Sequence, residues 1–170
     1  IVSLKKMEKY IQLGKKYISC SSNISCTKLA RYLHDNKQPG YEFLYGIPGT
    51  IGGAVSMNAG AFEREIMPYV HSLDLLDENG MIYTLKNDEI SYSYRTSNIN
   101  EKSIIISVKL FKQKTNFDMN LLNLLNQKRK ISQPINQLSC GCIFKNPSGD
   151  YAARLIDSAQ LKGSRAGGIY

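Results

Sequence analysis

Apolar and polar positions along the chain mark a short series of strands and helices. Residues 16–20 (Lys-Tyr-Ile-Ser-Cys) predict a short strand. Ser25 is placed to cap a helix running to about Asn36, with Leu29, Ala30 and Leu33 on one face and Pro39 and Gly40 ending it. Between 46 and 61 the periodicity gives way to a run of small residues. Residues 70–76 predict a strand whose apolar members are Val70, Leu73, Leu75 and Leu76. Asp77-Glu78-Asn79-Gly80 then supplies a turn, and Ile82–Leu85 the returning strand. Ile104–Phe111 is continuous and β-branched, the strongest strand pattern in the chain. Leu121–Lys130 predicts a helix whose terminal cations suit its dipole. Ile143-Phe144 predicts strand, and Ala152–Leu161 a helix that buries Leu155, Ile156 and Ala159 and stops at Gly163.

Strands and helices do not alternate strictly, so the pattern is α+β rather than a doubly wound sheet. The polar stretch Lys112–Asp118 is the candidate boundary between two structural units. There is no internal repeat and no low-complexity tract.

Composition narrows the classes. A chain of 170 residues fits one domain or one and a fraction, and 42% hydrophobic residues exclude a disordered chain. No apolar run approaches the ~18 residues of a membrane span. The start, Ile1-Val2-Ser3-Leu4-Lys5-Lys6, has neither an initiator Met nor a signal-peptide layout, which suggests a chain cut from something longer. The net charge of +8 favours anionic partners, whether nucleic acid, anionic lipid or phosphate-bearing small molecules, unless it is only a basic, inert surface. The cations are dispersed, with Lys128-Arg129-Lys130 the longest cluster, and no basic stretch carries the interleaved aromatics of a nucleic-acid binder. The cysteines Cys20, Cys26, Cys140 and Cys142 have C-x5-C and C-x-C spacings, which argue against a zinc site and against a disulfide framework. Two buried structural thiols and a distinct feature at 140–142 fit better.

Three segments could carry chemistry. Gly46-Ile47-Pro48-Gly49-Thr50-Ile51-Gly52-Gly53-Ala54 is neither a P-loop nor a dinucleotide fingerprint. Its glycines fit a plain turn or a backbone lying against a phosphate or flat ring, and Asn58-Ala59-Gly60-Ala61 extends it. Tyr92-Ser93-Tyr94-Arg95-Thr96-Ser97 sets a planar, permanent cation among hydroxyls, fit for an anion or enolate, or simply exposed beside a polar loop. In Cys140-Gly141-Cys142-Ile143-Phe144-Lys145-Asn146-Pro147 an extended backbone would point both thiols to one face near a cation. A buried cysteine acting as a small hydrophobe is the alternative.

Together, and in this order, the segments resemble the UDP-N-acetylenolpyruvoylglucosamine reductase (UDP-N-acetylmuramate dehydrogenase) family over essentially the whole chain. Gly46–Ala54 with Met57–Ala61 looks like the family's flavin-contacting loop, and Tyr41-Glu42-Phe43-Leu44 before it also fits. Tyr94-Arg95-Thr96-Ser97 is similar to its Tyr-Arg-x-Ser motif, and Gly141–Pro147 to its Gly-Ser-x-Phe-Lys-Asn-Pro motif. The Gly-Ile-Pro-Gly-Thr form suggests the shorter, second type of the enzyme.

The resemblance implies a partial FAD-binding domain of the vanillyl-alcohol-oxidase type over residues 1–112, followed by the start of a mixed α+β substrate-binding domain over 113–170. It implies FAD as cofactor, NADPH as reductant, a UDP-sugar substrate and a cytoplasmic role in peptidoglycan precursor synthesis, with no nucleic acid, membrane or metal involved. The implied cofactor contacts are Ile47, Pro48, Gly49, Thr50, Gly52, Gly53, Ala54, Asn58, Ala59, Gly60 and Arg129. Arg95 would neutralise the substrate carboxylate and developing enolate, and Cys142 stands where the family has a serine proton donor. Tyr94, Lys145 and Asn146 would bind the UDP-sugar. Arg95 and Cys142 are therefore expected to meet in one pocket beside the bend that begins at 46. The family's earlier glycine-rich pyrophosphate loop and its later catalytic Glu are not among these residues, so the chain alone is expected to bind FAD weakly and to have negligible activity. The competing class is a basic, non-catalytic module for polyanions.

Overall fold

A computed structural model describes residues 3–133, 143–164 and 167. The chain divides into two compact units, Ile1–Ile135 and Asn136–Tyr170.

The first unit is built on one antiparallel sheet. Its strands are β1 (Ile11–Leu13), β2 (Tyr17–Ser21), β5 (Val70–Leu76), β6 (Ile82–Lys86) and β9 (Ile104–Phe111), in the order β1-β2-β9-β5-β6. β9 is central because it is long and β-branched, with Val108 and Leu110 buried against Ile18 and Cys20 of β2 and Leu73 and Leu75 of β5. The β5–β9 register shifts twice, between Val70 and Ser72 and between Asp74 and Leu75. These irregularities interrupt the two-residue alternation, so Ser72 and Leu73 are both buried although adjacent.

Helix α1 (Cys26–Asp35) covers the sheet with Leu29, Ala30 and Leu33, all of them buried. The Ser25 hydroxyl caps it by accepting from Lys28 N–H at 3.2 Å. Its end comes earlier than Pro39. Lys37 adopts φ +54°, and the Lys37 and Gln38 amides donate to His34 and Leu33 carbonyls, a C-terminal cap made without glycine. The segment 46–61 is not all bend. It contains α2 (Ile51–Ser56), capped by Thr50, with Ile51 and Val55 in the core. Two small hairpins follow: β3 (Gly60–Ala61) with β4 (Arg64–Glu65), and β7 (Tyr92–Ser93) with β8 (Thr96–Ser97). Helix α3 (Leu121–Ser132) closes the unit with Arg129 and Lys130 in its last turn, as the charge pattern predicts.

In the second unit Ile143 and Phe144 are not a strand: both are exposed and without regular structure. Among the described residues they have no partner strand, and two apolar residues alone have no ladder to join. Helix α4 (Ala152–Ser158) forms, but Leu155 and Ala159 are exposed and Ile156 is half-buried, against the expected buried face. It ends before Gly163, because Gln160 takes φ +57° and the Gln160 and Leu161 amides close on the Asp157 and Ile156 carbonyls.

Candidate functional site

The small-residue segment is held edge-on to the connection between β2 and α1. Cys26 N–H donates to the Gly49 carbonyl at 3.1 Å, Ile51 N–H to Ile24 at 2.8 Å and Gly52 N–H to Ser22 at 2.9 Å. A β-carbon on Gly52 would stand 2.9 Å from Ser22 Cβ, so this approach leaves no room for a side chain. Pro48, Gly49, Thr50 and Gly53 are exposed along this segment, whereas Ile47, Gly52, Ala54 and Ala59 are buried.

Beside it, Asn23 donates through Nδ2 to the Leu4 and Met7 carbonyls, each at 2.8 Å. Its Oδ1 and the Ser22 hydroxyl are buried without a partner among the described residues. Burying an acceptor without a bond is costly, about 1–3 kcal/mol, so such atoms ask for a ligand or water. Asn23 lines a cavity of about 300 Å³ with Leu4, Lys5, Lys9 and Thr50. Two ammonium groups suit phosphates, and the uncommitted oxygens suit hydroxyl or ring N–H donors. The set therefore fits a flavin dinucleotide. Ser22, Asn23, Lys5 and Lys9 are not among the residues the sequence pointed to. Their signal there is only a polar run between a strand and a helix cap, and two of many dispersed cations.

Arg95 reaches the far end of the same segment. It is the second residue of the two-residue loop joining β7 to β8, at φ +55°. Its Nη2 donates to the Gly60 carbonyl at 2.8 Å, and Nη1 to Glu65 Oε1 at 3.1 Å and to the Asn58 carbonyl at 3.4 Å. The guanidinium carbon lies 4.7 Å from the centroid of the exposed Tyr94 ring. Asn58 is fully buried, at φ +44°, and its amide is spent within the protein. Nδ2 donates to Glu65 Oε2 at 2.7 Å and to the Ser93 carbonyl at 2.9 Å, while Oδ1 accepts from Met67 N–H at 3.2 Å. Ser97 Oγ donates to the Ser56 carbonyl at 2.6 Å, tying the Arg95 hairpin to α2. Glu65 is the residue the sequence did not offer: Phe62-Glu63-Arg64-Glu65 looks like an ordinary charged turn.

Arg129 projects from α3 onto the start of the segment, where its Nη1 donates to the Tyr45 carbonyl at 3.1 Å and its Nε to Gln133 Oε1 at 3.0 Å. In the second unit Lys145 is exposed, and Asn146 accepts through Oδ1 from Ala152 N–H at 3.0 Å, next to the start of α4. Cys140 and Cys142 lie outside the described residues; Arg95 meets the small-residue segment at Asn58 and Gly60, not at the bend that begins at 46. Cys20 and Cys26 are buried and free. Burial pushes both thiols up from 9.0, Cys20 to about 12 and Cys26 to about 11, with neighbouring Cys26 adding to the effect on Cys20. Neither is a nucleophile at neutral pH. Among the described residues no cluster of His, Cys, Asp or Glu is arranged to hold a metal, and no helix is long and apolar enough to cross a membrane.

Residues 1–86 match the family described as FAD binding domain, and residues 133–170 the family described as UDP-N-acetylenolpyruvoylglucosamine reductase, C-terminal domain. The UDP-N-acetylenolpyruvoylglucosamine reductase of Fusobacterium nucleatum is 36% identical over 98% of this chain and 59% of its own length. That of Caldanaerobacter subterraneus is 38% identical over 99% of this chain and 56% of its own length. The crystal structure of UDP-N-acetylenolpyruvylglucosamine reductase from Thermus caldophilus superposes with a TM-score of 0.75 at 32% identity, covering 84% of this chain and 53% of that one. The chain thus spans somewhat over half the length of the curated relatives it matches. The expected α+β class stands, with an FAD-binding part first. On the match over residues 1–86, half of the chain, the chain belongs to the family described as FAD binding domain, and its residues 133–170 and its fold are similar to those of UDP-N-acetylenolpyruvoylglucosamine reductases.

Proposed function

We propose that the protein carrying this chain reduces UDP-N-acetylenolpyruvoylglucosamine to UDP-N-acetylmuramate with NADPH, through FAD, in cytoplasmic peptidoglycan precursor synthesis. The observation that carries this reading is the Arg95 guanidinium seated on the Asn58 and Gly60 carbonyls, at the end of a glycine-rich segment whose other end borders a basic cavity. A fixed cation at one end of the segment and a basic cavity at the other suit the reduction of an anionic enol ether by a bound flavin.

Thr50, Gly53 and the exposed backbone at Pro48 and Gly49 would hold FAD, together with Lys5, Lys9 and the free oxygens of Ser22 and Asn23. Ile47, Gly52, Ala54 and Ala59 would support that cradle from behind, and Arg129 would steady its first turn through Tyr45. The chemistry that bound FAD would supply is the relay of hydride from NADPH to the enolpyruvyl group. Arg95 would bind the substrate carboxylate and offset the negative charge that builds as the enolate forms. Cys142 would supply the proton that ends the reaction, for which it must be a neutral thiol. Tyr94, Lys145 and Asn146 would contact the UDP-sugar. In this reading residues 1–112 serve the flavin and 113–170 begin the substrate-binding part.

Anaerobic stopped-flow kinetics on the full protein carrying this chain test the reading by separating flavin reduction from substrate reduction. Cys142→Ser is expected to keep most of the second half-reaction and Cys142→Ala to lose it, with flavin reduction proceeding in both. Equal slowing of the two half-reactions argues against a proton-donor role, and failure of the native protein to oxidise NADPH with the UDP-sugar ends the proposal.

A further inference from the structure

We infer that Glu65 is a positioning residue for Arg95, setting the guanidinium so that one edge stays open to a carboxylate. This rests on the reading of Arg95 just given. Arginine has five N–H donors in a rigid fork. The bonds to Glu65, Asn58 and Gly60 take both Nη1 hydrogens and one on Nη2. The Nε–H and the second Nη2–H have no acceptor among the described residues. Those two donors form the side-on edge that takes a carboxylate in bidentate fashion.

Neither backbone carbonyl alone defines that orientation, because each meets a single N–H. Glu65 adds the charged contact, and Glu65 is itself fixed: its Oε2 accepts from the fully buried Asn58 amide at 2.7 Å while its Oε1 takes Arg95 at 3.1 Å. The Glu65 and Arg95 side chains are 29% and 24% exposed, so the pair is largely shielded from bulk water without being sealed from it. The arrangement also has an electrostatic consequence. Glu65 partly neutralises Arg95 in the absence of substrate, so the cation is not left uncompensated beside the flavin cradle. A chain that only needed Arg95 as a loop anchor would need no acid held in place by a buried amide.

Two measurements test the inference in the full protein. The first needs no cofactor or turnover. In proton–nitrogen spectra, hindered rotation should give separate Nη resonances for Arg95, identified by their loss in Arg95→Lys. Glu65→Gln should average them, and Glu65→Asp should restore them in part. The second is kinetic. Glu65→Gln should slow substrate reduction at least tenfold more than flavin reduction and raise the substrate KM, again with partial rescue in Glu65→Asp. If Glu65→Gln leaves the Arg95 resonances and the half-reaction ratio as in the native protein, Glu65 has no positioning role. If both half-reactions fall in parallel with the melting temperature, its role is structural only and the inference is wrong. Arg95→Ala separates the two levels: if that variant spares substrate reduction, the reading of Arg95 fails, whereas a slow Arg95→Ala beside a normal Glu65→Gln defeats the positioning role alone.

Discussion

Asn58 Nδ2 donates to the Ser93 carbonyl, 35 positions later, at 2.9 Å, and so joins the end of the small-residue segment to the hairpin that carries Arg95. The same amide holds Glu65 and the Met67 N–H. Asn58→Asp cannot donate to either acceptor and sets a second carboxylate against Glu65. It is expected to cost about 3 kcal/mol or more, the cost of leaving buried groups unpaired. Burial beside Glu65 raises the new acid's folded pKa above its unfolded value, so the penalty should shrink as pH falls toward about 4. Urea unfolding at two pH values checks both the loss and its recovery.

Gly60 is required by close approach, since a β-carbon there would meet the Arg64 carbonyl at 2.0 Å and Glu65 Cα at 2.9 Å, both backbone. Gly60→Ala must therefore open the β3–β4 hairpin. The expected loss is about 2–3 kcal/mol, typical of overpacking without relief. In the same variant the Arg95 guanidinium should lose its fixed rotation, visible by NMR.

The β3–β4 loop holds Phe62 at φ +54° and Glu63 at φ +61°. Positive φ at both loop residues is what Asn-Gly accepts at low cost and Phe-Glu does not. Replacing Phe62-Glu63 by Asn-Gly should stabilise the protein by roughly 1 kcal/mol and raise Tm by about 2–4 °C, measured by calorimetry. A fall in Tm would mean that Phe62 makes a contact worth more than the relieved strain.

The two buried thiols give a pH dependence of definite sign. Their folded values lie above the unfolded 9.0, at about 12 for Cys20 and about 11 for Cys26. The unfolded chain therefore releases these protons first as pH rises, and stability present below pH 9 declines through about pH 11–12. Denaturation midpoints should drop across that window, and Cys20→Ala with Cys26→Ala should flatten the drop. A dependence unaltered in the double variant would assign it elsewhere.

Much of this protein is local and was legible in the chain. β9 announces itself by continuous branching, α1 by its Ser25 cap and the Leu29–Leu33 stripe, and the β5–β6 hairpin by Asp77-Glu78-Asn79-Gly80, because backbone preference and a nearby apolar partner suffice to fix each. The motifs around Gly46, Arg95 and Cys142 carried the reductase resemblance by their order alone.

Other features depended on who meets whom across long separations. Whether Leu155 and Ile143 are buried depends on a partner surface, which periodicity does not record. Lys37, Asn58 and Gln160 end helices at positive φ without glycine, since neighbouring amides and carbonyls offset the strain. Above all, Glu65 gained its role only when folding brought it between Asn58 and Arg95: residue type sets what a group can bond to, and three-dimensional proximity alone decides which bonds it makes.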